Sequence, residues 1–261
     1  MKKKEFNAKK EIQNIVNQIK EYFVFNGDQN TKAVIGISGG KDSTIAAALL
    51  VRALGPDRVF GVLMPCGHQS DINDSKKVVE ILGIPHCEVN IGKAMEELTS
   101  SIPQDLFSSN WDKHSVYYTN TPARLRMTTL YGIAALIGGR VINTSNASEI
   151  YIGYSTKYGD MAGDFAILKN YYVREVLKLG EALDEIPNEL IFKEPGDGMS
   201  GKTDEENLGF SYEVLDAYLM DNKIPDVETL YNIRKRHERN KHKSESIRIN
   251  GVFRYGDSYL F

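Results

Sequence analysis

The sequence predicts an α/β protein, a doubly wound parallel sheet with helices on both faces, in one domain spanning residues 1–261. Short apolar runs of strand length alternate with stretches whose apolar residues recur at three- and four-residue steps, the alternation of βαβ units. The first apolar run passes directly into a glycine-rich loop and a helix-like segment, GISGGKDS at residues 36–43. With 41% hydrophobic and 26% charged residues, the chain has the ordinary globular balance needed for a core between layers.

The elements follow in order. Residues 5–25 read as an amphipathic helix, because Ile12, Ile15, Val16, Ile19, Tyr22 and Phe23 share a face and Gly27 can end it. Ala33-Val34-Ile35-Gly36-Ile37 reads as a strand, and a small-residue helix from Thr44 to Leu54 stops at Gly55. Residues 59–64 read as a buried strand, 71–82 as a helix and 86–89 as a further short strand. A long helix is expected to start at Asn120-Thr121-Pro122, where Asn can cap and Pro suits the first turn, and to run to Ile137. Val141-Ile142-Asn143 is the next strand; residues 169–180, 211–221 and 226–240 have helical patterns, and 193–207 form a Gly-rich acidic loop. Ligands in such sheets sit outside the carboxyl ends of the strands, so the loops after Ile37, Met64 and Asn143 are where chemistry is expected.

Charge and cysteine content exclude several classes. Thirty-two basic and 35 acidic residues leave a net charge of −3, which does not suit a strongly basic nucleic-acid binder. Cys66 and Cys87 are the only cysteines, so there is neither a disulfide framework nor a Cys-x-x-Cys pair. His68, His86 and His114 lack zinc-ligand spacing. No apolar run of about 20 residues is present, and MKKKEFNAKK does not open a secretory signal. A cytoplasmic protein without membrane or nucleic-acid partners is expected.

Two stretches compete as phosphate loops. Residues 196–203, GDGMSGKT, match the Walker pattern letter for letter, but Pro195 interrupts any strand before it and Asp204-Glu205-Glu206 crowds it with carboxylates. A surface loop is the better reading there. Residues 36–43 have the right context of strand, loop and helix. Gly39 and Gly40 allow close backbone approach, while Ser38, Ser43 and a helix N-terminus can hold an anion. Asp42 in such a loop requires a divalent cation between it and polyphosphate.

SGGKDS resembles the pyrophosphate loop of the N-type ATP pyrophosphatases, in which ATP is attacked at its α-phosphate and pyrophosphate leaves. The loop alone fits several members, tRNA-thiolating enzymes among them. Further segments select one: residues 120–127 (NTPARLRM) resemble NxxARxRM, 144–149 (TSNASE) resemble TxNxSE, and 153–160 with Gly163-Asp164 resemble GxxTKxGD…D. His242-Lys243 sits where the family has a His-Lys pair. Together these motifs are similar to those of the ammonia-dependent NAD synthetases and span nearly the whole chain.

That resemblance implies ATP and Mg²⁺ as cofactors, deamido-NAD and ammonia as substrates, and a homodimer. It implies that Gly36, Ile37, Ser38, Gly39, Gly40, Lys41, Asp42 and Ser43 bind ATP together with Thr144. Asp42 and Glu149 are implied as the catalytic metal ligands, and Arg124, Lys157, Asp164, His242 and Lys243 as contacts to deamido-NAD. Glu149 taken alone reads equally well as the end of a capping box begun by Asn146. Residues 234–254 hold eight basic and two acidic residues, a tail that the resemblance closes over the dinucleotide phosphates. The chain departs from the family pattern at Val173, where many members have an ATP-contacting Lys that Arg174 or Lys169 would have to replace, and at Gly196, where many have Ser or Thr. The synthetase motifs fill the 261 residues, so no separate glutamine-hydrolysing domain is expected.

Overall fold

The computed structural model describes residues 6–68, 72–107, 116–193 and 203–245. After helix α1 (Ala8–Phe25), whose first turn is capped by the Asn7 side chain, comes strand β1 (Lys32–Gly36). Then follow α2 (Lys41–Leu54), β2 (Val59–Leu63), α3 (Ile72–Leu82), β3 (His86–Glu88), α4 (Gly92–Ser101) and α5 (Val116–Ile137). The remainder is β4 (Gly139–Asn143), α6 (Ala147–Ile152), β5 (Phe165–Ala166), α7 (Val173–Glu181), α8 (Asn188–Ile191), α9 (Asp204–Leu208), α10 (Tyr212–Asp221) and α11 (Val227–Asn240).

All strand pairs are parallel, in the order β3-β2-β1-β4-β5. Val34 at the centre is in register with Phe60 on one side and Val141 on the other. Successive strand residues point to opposite faces, and both faces are covered at the centre of the sheet, so β1, β2 and β4 have apolar middles, whereas the edge strand β3 (His-Cys-Glu) is largely exposed. Ala33, Ile35, Val59, Leu63 and Ile142 pack with α1, α2, α3, α7 and α8 in the larger cluster. Val34, Val62 and Val141 pack under Met127, Leu130 and Ala134 of α5. Residues 45–50 of α2 are completely enclosed, which explains the small-residue sequence of that helix. A third cluster, around Ile152, Val173, Leu208, Tyr212, Leu215 and Ile233, joins α6 and α7 to α9, α10 and α11.

The doubly wound sheet is the expected one, with differences of detail, among them α7, which starts at Val173 and not at 169, and the short helices α8 and α9, the latter beginning inside the stretch 193–207 expected as a loop. Helix α2 begins at Lys41 and not at Thr44, because Gly40 is its N-cap and Lys41-Asp42-Ser43 form its first turn. Helix α5 begins before Asn120-Thr121-Pro122: Pro122 lies inside it, and the Asn120 side chain accepts a hydrogen bond from Thr156 Oγ1 (2.8 Å). Helix α4 was not anticipated: it is short and mostly polar, with only Gly92 and Met95 of its ten residues buried. Strand β5, of two residues, is too short to leave a pattern.

Candidate active site

Chain order reverses direction between β1 and β4, the neighbours at the middle of the sheet. Loops diverge from the carboxyl ends of such a strand pair and leave a crevice. The loop after β1 is held by its own side chains. Ser38 Oγ and Ser43 Oγ share a hydrogen bond (3.0 Å), Gly40 N–H donates to Ser38 Oγ (3.2 Å), and Thr44 Oγ1 donates to the Gly40 carbonyl (2.8 Å). Gly39 has φ +78°, and a Cβ there would lie 2.8 Å from the Asp74 side chain and the Ser75 backbone nitrogen. Only glycine fits this point. The loop thus presents the N-terminus of a buried fourteen-residue helix to the crevice, where the backbone dipoles favour an anion.

Asp42 on α2 and Glu149 on α6 meet through one residue, Asn146. Its Nδ2 donates to Asp42 Oδ1 (3.1 Å), its Oδ1 accepts from the Glu149 N–H (3.0 Å), and its own N–H donates to Glu149 Oε2 (3.1 Å). The last two bonds are a capping box, as the capping reading of Glu149 expects. Asn146 is completely buried; the sequence offered it as the start of a capping box and not as the bridge to Asp42.

Lys41 is buried, with its ammonium 2.7 Å from Asp42 Oδ2 and 5.8 Å from the ring centre of Tyr212. Burial alone would discharge it; the carboxylates of Asp42, Glu149 and Asp204 outweigh burial and hold the charge. Glu149 moves the other way. Desolvation, then the charge of Asp42, raises its carboxyl to about 8, against the pull of Lys41. Two hard carboxylates flanking an anion-binding loop suit Mg²⁺, which takes one or two carboxylates and completes its shell with phosphate oxygens and water. Among the described residues no group of three or more His, Cys, Asp or Glu side chains is arranged to hold a metal, so these two carboxylates would be the protein's share.

Helix α6 is in turn anchored from behind. Ser148 Oγ accepts from the Val173 N–H (3.0 Å) and donates to Asp216 Oδ1 (2.5 Å), while Asp216 Oδ2 accepts from the Arg174 N–H (2.7 Å). The open N–H groups of α7 are therefore capped by side chains from α6 and α10. Val173 itself is packed in the third cluster; of its two candidate replacements the Arg174 guanidinium is paired with Asp221, and Lys169 is exposed. The Lys41 ammonium lies 5.8 Å from the ring centre of Tyr212 in the same cluster.

Arg124, Lys157, His242 and Lys243 are brought together. Arg124 Nε donates to the Lys157 carbonyl (3.3 Å), Lys157 Nζ to the His242 carbonyl (2.6 Å), and Lys243 Nζ to the Gly153 and Ser155 carbonyls (2.7 and 2.8 Å). Gly153, at φ +64°, permits this docking, since a Cβ would strike Asn240 of α11. Asp164 makes its contacts elsewhere: one carboxylate oxygen accepts from the Val141 N–H (2.7 Å) and the other from the Tyr131 hydroxyl (3.2 Å). Thr144 lies at the carboxyl end of β4, half-buried. Of the Walker-like stretch only Thr203 is among the described residues, and it N-caps α9 with Glu206. Cys66 and Cys87 are free thiols packed beside α5's cluster, and burial raises the Cys87 thiol.

A parallel sheet carrying a serine-glycine phosphate loop and two bridged carboxylates at its switch point defines an α/β nucleotide-binding enzyme. The NAD synthase family model matches residues 11–248, and by that match and its relatives the chain belongs to the NAD synthase family. It is 39% identical over 209 residues to the NH(3)-dependent NAD(+) synthetase of Pyrococcus furiosus, covering 80% of this chain and 77% of that one. Among solved structures it is similar to NMN synthetase from Francisella tularensis (TM-score 0.85, 33% identity, 95% of this chain and all of that one). It is also similar to the NH3-dependent NAD synthetase of Campylobacter jejuni (TM-score 0.75, 27% identity, 94% of this chain and all of that one).

Proposed function

We propose that the chain joins ammonia to the carboxylate of deamido-NAD at the expense of ATP, giving NAD, AMP and pyrophosphate. An ionised carboxylate is a poor electrophile. Its attack on the α-phosphate of ATP makes an acyl adenylate, from which ammonia displaces AMP, so no covalent bond to the enzyme is needed. The protein's share is to hold two anionic nucleotides in line and to neutralise charge as pyrophosphate leaves. The observation that carries this reading is the convergence of Asp42 and Glu149 through Asn146 beside the phosphate loop.

In this reading residues 36–43 and Thr144 bind ATP, with Asp42 and Glu149 holding Mg²⁺, which when bound neutralises the triphosphate. Arg124, Lys157, His242 and Lys243 face the second nucleotide. Their amino groups now donate to backbone carbonyls and would turn to phosphate or carboxylate oxygens. Incubation with ATP, Mg²⁺, ammonium and deamido-NAD tests the proposal; absence of NAD, AMP and pyrophosphate as joint products would refute it.

A second reading concerns the length of the acid substrate. The structural likeness to the Francisella NMN synthetase exceeds that to the Campylobacter NAD synthetase. This likeness favours nicotinic acid mononucleotide as the acid, with the same chemistry. A competition between the two acids, read as the ratio of kcat/KM values, decides between them.

A homodimer is proposed as well. Leu136 of α5 is 85% exposed and Phe25 at the end of α1 is 77% exposed, large apolar side chains of the kind an interface covers. Light scattering showing only a 29.3 kDa species would remove this proposal.

A further inference from the structure

The hydroxyl of Tyr212 has no hydrogen-bond partner among the described residues, although the side chain is 3% exposed. Tyr212 opens α10, capped by Ser211, and its ring packs among Ile152, Val173, Leu208, Phe210, Leu215 and Ile233. A phenylalanine would satisfy that packing equally well. The Lys41 ammonium lies 5.8 Å from the centre of the ring and 2.7 Å from Asp42, so Tyr212 borders the carboxylate centre. Buried hydroxyls are nearly always paired, and a donor left open beside that centre is a cost borne by the free protein. Such costs gather where a ligand completes the network.

We propose that Tyr212 is a binding residue for ATP, its hydroxyl donating a hydrogen bond to a phosphate oxygen held between the glycine loop and α6. The inference rests on the reading of the site given above. A phosphate oxygen only accepts, and a neutral phenol can approach it where a further carboxylate could not. The hydroxyl thereby supplies a contact on the side of the site where Val173 offers none.

The test is Tyr212→Phe, which keeps the ring and its contact with Lys41. The free variant is expected to melt at the same temperature as the parent or higher, since an unpaired hydroxyl is removed. Its affinity for a non-hydrolysable ATP analogue is expected to fall roughly tenfold to a hundredfold in calorimetry, with Mg²⁺ and in EDTA alike. A purely structural hydroxyl would give the opposite result, a lower melting temperature with unchanged affinity, and would overturn the proposal. Loss confined to the Mg²⁺ arm, or appearing with Mn²⁺ alone, would assign the hydroxyl to water on the cation and overturn the phosphate assignment. If the parent protein itself fails to bind the analogue, the reading of the site fails; if parent and variant bind it equally, only this inference does.

Discussion

Asn146 shows how one side chain can serve stability and chemistry together. Three of its polar groups are spent on fixing Glu149 and Asp42 relative to one another. Asn146→Ala is expected to lose about 1 kcal/mol of stability through the cap and to weaken Mg²⁺ binding about tenfold or more, read by urea denaturation and by Mn²⁺ titration. Glu149 supplies a pH prediction. A carboxyl raised to about 8 keeps its proton below that pH, and metal binding requires the ionised form. Metal affinity should therefore climb as pH rises toward about 8 and then level, and Glu149→Gln should abolish the slope. The same shift makes the free native state bind more protons than the unfolded chain between the ordinary carboxylate range and that value, so Glu149's contribution to stability declines as pH rises through the window. A pH-independent Mn²⁺ affinity would contradict the assignment. Asp164→Ala, by contrast, leaves the Val141 N–H and the Tyr131 hydroxyl without acceptors and is expected to cost about 1–3 kcal/mol, seen as a lower urea midpoint.

At the scale of elements, the site depends on where helices begin. Helix α2 starts inside the phosphate loop, α6 starts at the capping box that aims Glu149, and α7 is capped by Ser148 and Asp216 from two other helices. Gly153 governs the docking of α11 and its His-Lys turn. Gly153→Ala forces a left-handed backbone on alanine, at about 1–2 kcal/mol, and drives a methyl group into Asn240. It should lower the melting temperature and raise KM for the acid substrate more than KM for ATP; equal effects on both would show that the α11 turn does not face the acid. The strands β1, β2 and β4 and the helices α1, α10 and α11 were legible in the residues because each carries a strong period or an apolar run. Strand β5 was not, because two residues leave no period to read, and α4 was missed because it is a short, mostly polar and exposed segment between β3 and α5. The start of α5 was misplaced because a proline normally marks a first turn, whereas Pro122 sits inside this helix.

At the scale of the molecule, a five-stranded parallel sheet with helices on both faces provides a rigid platform, and Asp42 and Glu149 of the proposed site are carried on the helices that follow β1 and β4. No helix among the described residues is long and apolar enough to cross a membrane. Because unprotonated ammonia is the nucleophile, the rate at fixed total ammonium is expected to rise on the alkaline side of neutrality. A flat profile from about pH 7 to about pH 9 would count against ammonia attack as the slow step.

Most of the strands and helices, the strand-loop-helix context of residues 36–43 and the family of the chain were readable from residues, because turn chemistry, periodicity and short motifs are local properties of the chain. Which side chains meet across the site was decided only in three dimensions. Asn146 between Asp42 and Glu149, Lys41 over Tyr212, Asp216 behind α7 and Asp164 spent on Val141 and Tyr131 are contacts between positions up to 171 residues apart. Sequence spacing carries no signal for such pairs, because the sheet order that places β4 beside β1, and with it α6 beside α2, arises from packing of the whole fold.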